Sequence, residues 1–441
     1  MATEALTVSE IEGRWRDLAG TLPGAGIDWL DDFRAQGLEQ FRASGLPGPR
    51  LESWKYTNLP RALRDRSYTP AATAQRTSLD RVASLLPAES TRLRLVFLDG
   101  RFSAEHSQLA DLPEGVTLAP LSRVLRDAPQ RLEGLLQAAD YDRERALQAL
   151  NDALFDEGLL LSVSSGIQLD TPVEVIFVGG TSDEAVESHQ RLVVSIGRGA
   201  EATLVEHHQS VGSGNGLLNL VSDIHVAAGA GLTHLRVQET GDESVHLAGT
   251  HLQLERDARY RSLAFTSGAA LSRHEIDATL LGENADVTLD GAYLLRGRQH
   301  GDTTSVIRHT VPHTSARQNY KGALDDRARG VFQGRIVVEQ DAQKTDGRML
   351  NKTLLLSEKA EIDSKPELEI FADDVQCAHG ATAGELDADA LFYLRSRGLS
   401  QEGARALLVE AFVAELIEDF PVEALRPALL ERLQHWLLGT N

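Results

Sequence analysis

A single cysteine in 441 residues rules out an internal disulfide framework and suits a reducing compartment. Aromatic residues reach only 5%, so the core must be built mainly from small aliphatics, and 37 glycines allow many tight turns. No apolar run approaches the ~18 residues that a membrane span requires. The start, Met1-Ala2-Thr3-Glu4-Ala5, carries an acid where a signal peptide carries basic residues, and no apolar stretch follows. A cytoplasmic protein is expected. Basic residues are also in deficit. The net charge of −21 repels polyanions, which argues against nucleic acid or an anionic membrane as partner. There is no Gly-x-x-x-x-Gly-Lys-Ser/Thr loop, so any ATP hydrolysis must come from a partner, and no dinucleotide fingerprint marks a flavin site.

What is present falls into three textures. Residues 1–155 are rich in Leu, Ala, Arg and Glu. Leu132, Leu135, Leu136 and Ala139, then Ala146, Leu147, Leu150 and Leu154, recur at helical spacing and predict amphipathic helices. A short strand over Leu93–Leu98 ends at the turn signal Asp99-Gly100. Residues 156–384 change to short Val-, Leu-, Ile- and Thr-rich runs broken by Gly, Asn and Asp, such as Leu159–Val163, Leu232–Gln238 and Val331–Glu339. Residues 385–441 are helical again. Ser400 is placed to cap a helix carrying Ala404, Leu407, Leu408, Ala411, Phe412 and Leu416 on one stripe. Pro421 ends that helix, and Val422, Leu425, Leu429, Leu433 and Trp436 mark a second. Such a pair could cap a neighbouring domain or form a docking hairpin.

The central region carries an irregular repeat. Ala200, Ala230, Ala258, Ala285, Ala328 and Ala360 each precede a predicted strand, at intervals near 30 residues. One small residue per turn is the signature of a β-solenoid. A β-sandwich with Ala-containing turns is the alternative, although more than 200 residues would be large for one.

Cys377 and His379 are two apart, so a regular strand would present thiol and imidazole on one face. The pair is a plausible but incomplete edge of a zinc or iron–sulfur site, whose other ligands must come from elsewhere, conceivably from another chain. Against that, a lone cysteine is commonly a small inert hydrophobe. Asp373 shares their parity if the strand is regular, though Asp373-Asp374 also reads as a turn or salt-bridged rim. His207-His208 would face opposite ways, His246 and His251 share no face, and His309 and His313 flank a proline. None of these pairs is expected to chelate. Lys321 and Arg335 are expected to close ion pairs on the solenoid face.

Several ordered segments carry a family likeness. These are His309-Thr310-Val311-Pro312-His313-Thr314-Ser315, Phe332-Gln333-Gly334-Arg335-Ile336, Ala342-Gln343-Lys344-Thr345, Lys365 to Gly380, and Leu391 to Gly398. Together with Glu52-Ser53-Trp54-Lys55-Tyr56-Thr57 they resemble the SufB/SufD family of iron–sulfur cluster assembly scaffolds. The lone cysteine within Asp-Asp-Val-x-Cys-x-His is more similar to the SufD branch. The resemblance implies a mainly β fold, with a right-handed parallel β-helix core flanked by N-terminal and C-terminal helical domains. It implies a non-catalytic subunit that pairs with a SufB-like chain through the β-helix and with a SufC-like ATPase through the C-terminal helices. On that reading Val375, Cys377 and His379 lie at the SufB-like interface, and Leu407, Leu408, Ala411, Phe412 and Leu416 dock the ATPase. A nascent iron–sulfur cluster would be shared transiently across the interface, and a homodimer is an option for the isolated chain. A competing class, a secreted β-helix polysaccharide enzyme, would call for a signal peptide and a paired carboxylate groove.

Overall fold

The computed structural model describes residues 7–71, 82–87, 93–109, 112–136, 145–212 and 214–439. Residues 1–5 and Ala139, which entered the sequence reading, lie outside that set.

Sixteen strands follow one another from Glu157 to Gly384. They are β6 (Glu157–Val163), β7 (Val173–Gly179), β8 (Val186–Ile196), β9 (Glu201–Ser210), β10 (Leu217–Val226), β11 (Gly231–Glu239), β12 (Val245–Leu254) and β13 (Arg259–Thr266). The run continues with β14 (Leu271–Leu280), β15 (Asp286–Leu295), β16 (His300–His309), β17 (Ser315–Leu324), β18 (Arg329–Val338), β19 (Asp346–Leu355), β20 (Glu361–Ile370) and β21 (Gln376–Gly384). Even-numbered strands form one sheet and odd-numbered strands the other, each strand parallel to the next but one. The fold is therefore a two-sheet parallel β-solenoid, as expected. Side chains alternate between its lumen and its outer faces. The lumen is packed with Leu204, Leu232, Val287, Leu289, Ile307 and Ile336, among other small aliphatics.

The alanine repeat resolves into two columns. Ala200, Ala230, Ala258 and Ala285 precede strands of the odd sheet and are fully buried, whereas Ala328 and Ala360 precede strands of the even sheet. The interval from Ala285 to Ala328 is long because it switches column. Just before the odd-sheet alanines stand Gly199, Gly229, Asp257 and Asn284, all with φ between 58° and 68°, and the column continues through His313 and Lys344. Glycine, asparagine and aspartate tolerate this left-handed conformation best. The Gly229 N–H donates to the carbonyl of Arg256, and that of Asp257 to Glu283, so the turns ladder from coil to coil. His313 is thus a turn residue, and His309 is a buried one.

The N-terminal region adds helices and strands to this core. Its helices are α1 (Val8–Leu18), α2 (Asp28–Ser44), α3 (Leu59–Ala62), α4 (Leu121–Asp127) and α5 (Ala146–Leu154). Its short strands are β1 (Thr69–Pro70), β2 (Leu93–Leu98), β3 (Arg101–Phe102), β4 (Gln108–Leu109) and β5 (Val116–Pro120). Every residue of α5 is buried, and α2 approaches it so closely at Gly37 that a Cβ there would meet the backbone of Ala149 and Ala153 at 2.9 Å. The helix expected at Leu132–Leu136 does not form. A short 3-10 turn, Pro129–Arg131, leads into turns, and Gly134 has φ of 81°, which no right-handed helix accepts. Leu132 and Leu136 are buried all the same.

The two ends of the solenoid differ. At one end β5 runs antiparallel to β6, while β3 and β4 run antiparallel to β2, closing the sheets with N-terminal strands. At the other end β20 and β21 are the outermost strands of their sheets. The C-terminal helices α6 (Ala388–Ser396), α7 (Gln401–Glu418) and α8 (Arg426–Leu438) do not cover that end. They lie along the flank of the odd sheet, where Val413, Leu416, Ile417, Leu429 and Trp436 pack on outward side chains such as Val237, Phe265 and Leu294.

Candidate functional site: the open coil

Strand β21 pairs in register with β19, placing Cys377 over Gly347 and His379 over Met349. Gly347 and Met349 are lumen residues, so Cys377 and His379 both point inward, about 7 Å apart along the strand. Among the described residues no further coil lies above them, and His379 is exposed while Cys377 is half-buried against the lumen core. From the other sheet Ile362 and Leu368 reach the same core edge. The exposed side chains Ile370 and Phe371 (62% accessible) continue the apolar rim.

Burial pushes the Cys377 thiol above its ordinary value, assisted by the nearby Asp346 carboxylate. The sulfur is thus a protonated thiol in the free chain, and a coordinating thiolate would have to be generated on binding. Among the described residues no three His, Cys, Asp or Glu side chains are grouped to hold a metal ion. Asp373 sits in a bend ahead of β21, not in the strand, so it does not share the face of Cys377 and His379. Asp374 pairs with Lys344 across the rim.

The expected helix stripe is divided. Ala404 and Leu416 are buried toward the solenoid, Leu408 and Phe412 are intermediate, and Leu407 and Ala411 face solvent. Ser400 caps α7 by accepting from the N–H of Gly403 at 3.0 Å. Lys321, on the outer face of β17, is 2% exposed, donates to the carbonyl of Phe412 at 2.7 Å and pairs with Glu415. Its ammonium also lies 4.9 Å from the Phe412 ring. Arg335 faces Glu369 at 3.4 Å. Phe392, Tyr393, Leu399 and Leu407 form an exposed apolar surface on α6, α7 and their connection, with the Arg397 guanidinium 5.1 Å over the Tyr393 ring.

The segment Glu52–Thr57 binds across the outer face of the even sheet. Trp54 is fully buried with the Arg273 guanidinium 3.8 Å over its ring. The carbonyl of Ser53 accepts from Arg273 at 2.9 Å and Gln333 at 2.8 Å, and Glu52 reaches Lys365 on the last coil at 2.7 Å. A second polar group, of which only His208 drew attention in the sequence, lies inside the lumen. Glu206 and His208, then His234, Arg236 and Gln238, point inward at alternate positions of β9 and β11. Their period-two polarity within buried strands was the available signal.

Fold and site together define a parallel β-solenoid protein with one sealed and one unsealed end. The SUF system FeS cluster assembly SufBD core domain matches residues 177–412, and the SufBD protein N-terminal region matches residues 19–175. The chain belongs to the SufBD family of the SUF system. It is 34% identical to the iron–sulfur cluster assembly protein SufD of Escherichia coli, over 92% of both chains. Identity to the SufBD family protein slr0076 of Synechocystis is 33%, over 87% of this chain and 86% of the relative. The SufD of Bacillus subtilis is 26% identical over 92% of this chain and 93% of its own length.

Proposed function

We propose that this chain is a SufD-like, non-catalytic scaffold subunit of a cytoplasmic iron–sulfur cluster assembly complex. The observation that carries this reading is the unpaired terminal coil, where two sheet edges and an inward-facing thiol–imidazole pair stand open together. Open β edges are templates for pairing with another chain. A SufB-like solenoid presenting its own terminal strands would continue both sheets and bring further ligands to Cys377 and His379. A second copy of this chain could occupy the same edge in isolation. The nascent cluster is cargo at this interface, with His379, already exposed, the more available of the two donors. The apolar surface of Phe392, Tyr393, Leu399 and Leu407 suits a SufC-like ATPase, since α7 already spends its other face on the solenoid.

The test is co-expression with SufB-like and SufC-like partners, anaerobic purification, and measurement of iron, sulfide and visible absorption. His379→Ala is expected to lower the chromophore several-fold in an intact complex. An unchanged chromophore would leave this chain as architecture alone.

A further inference from the structure

A cavity of about 90 Å³ opens on the outer face of the even sheet, between α5 and the Glu52–Thr57 segment. That volume admits roughly six to nine waters. In-register pairing puts His251, Asp277, Val306 and Arg335 in one row across β12, β14, β16 and β18. The row beside it runs Val221, Gly249, Glu275 and Thr304. Both rows point outward, with successive strands about 4.8 Å apart.

Part of the lining is cationic. Arg145 and Arg308 grip Asp277 together, Arg145 Nη2 on Oδ2 and Arg308 Nη1 on Oδ1. Two guanidinium groups on one carboxylate leave one positive charge in excess. Arg335 adds a third guanidinium, whose own partner, Glu369, stands 3.4 Å away at the exposed rim. The lining also holds unmet acceptors. Gln148 of α5 is 5% exposed, and its Oε1 is enclosed with no hydrogen-bond partner. Arg273 donates from both Nε and Nη2 to Oε1 of Glu275, which leaves Oε2 unengaged among the described residues. Glu275 stands two residues before Asp277 on β14, about 7 Å along the strand.

The floor between these groups is bare. Gly249 faces outward, and a Cβ there would meet nothing closer than Val221 Cγ2 at 3.8 Å and His251 Nε2 at 3.9 Å. A glycine inside a strand gives up packing, and such positions mark the close approach of a ligand. Leu147, Val221 and Val306 supply apolar walls. Guanidinium groups for a carboxylate, acceptors for a donor, and space for a short aliphatic body describe one ligand class. We propose that this cavity binds a small α-amino or α-hydroxy acid. Its carboxylate lies among Arg145, Arg308 and Arg335, its amino or hydroxyl group donates to Gln148 or Glu275, and its side chain covers Gly249. The site draws on no residue of the open coil and needs no partner chain.

The test is calorimetric titration of the full-length chain with L-valine, L-α-hydroxyisovalerate and isovalerate, which share one carbon skeleton. Saturable binding of one equivalent of valine or hydroxyisovalerate is expected. Isovalerate should bind at least tenfold more weakly, because it leaves the enclosed acceptor unmet. The tighter of the two polar acids identifies the donor as ammonium or hydroxyl. Arg308→Gln should weaken that acid at least tenfold. Gly249→Val, which fills the floor with a strand-favouring side chain, should abolish binding with the melting temperature maintained. The proposal is overturned if neither polar acid saturates, if isovalerate binds as tightly as they do, or if a folded Gly249→Val chain keeps its affinity. If Gly249→Val unfolds, Arg308→Gln decides on the same criterion, since that side chain is 32% exposed.

Discussion

At the scale of single residues, burial sets what each histidine can do. His309 is fully buried, its Nδ1 2.7 Å from the Thr314 hydroxyl, and desolvation alone lowers its pKa to about 4. The unfolded chain then binds a proton that the folded chain refuses between about pH 6.5 and 4, so stability rises with pH across that window. The contribution is complete above the ordinary imidazole value and is lost as the pH falls toward 4, by at most about 3 kcal/mol. His309→Gln should flatten the acid limb of the melting curve between those values, relative to wild type. An identical limb would mean the folded chain protonates His309 normally. The Cys377–His379 pairing was legible in sequence because strand parity is a local property. The burial of the other histidines was not, because lumen and outer face differ only in what the neighbouring coils supply.

At the scale of elements, α7 is held by one buried lysine and an apolar face. The partner carboxylate of Glu415 is 68% exposed, so that ion pair contributes little, and the bond to the Phe412 carbonyl dominates. Lys321→Met should cost about 1–3 kcal/mol and raise hydrogen exchange in α7 and α8. Leu407→Asp, on the exposed side, should change stability by under about 0.5 kcal/mol yet remove co-purification of the ATPase. Equal ATPase capture by the Leu407 variant would place docking elsewhere. Helical spacing showed that α7 is amphipathic, but Ala404, Leu407, Leu408, Ala411, Phe412 and Leu416 read as one stripe. Leu407 and Leu416 are nine residues apart, half a turn on the helical wheel, so the helix itself sets them on opposite faces; which of the two faces the odd sheet covers is settled only by the packing of the solenoid.

At the scale of the whole molecule, the solenoid is quasi-one-dimensional, each coil leaning on the next. Amide protection should therefore be highest in the central coils and fall through β20 and β21, and a bound SufB-like partner should restore it there. Flat protection along the solenoid without a partner would show that the end is already sealed. The repeat itself was visible as alanines near 30-residue intervals. The two-column character was not, because Thr314, Thr345 and Val375 continue the odd column without alanine.

The strap formed by Glu52–Thr57 has a bearing on biosynthesis. Its partners Arg273, Asp302, Gln333 and Lys365 are all encoded far downstream, the last of them 313 residues after Glu52. At ribosomal speeds of about 5–20 residues per second, Glu52 leaves the exit tunnel roughly 15 to 60 s before Lys365, and Trp54 roughly 10 to 45 s before Arg273, which covers its ring. During that interval an indole destined for full burial has nowhere to go. The first part of the chain to be made is thus among the last to settle, and nascent-chain chaperones that shield exposed apolar segments have a defined window in which to act.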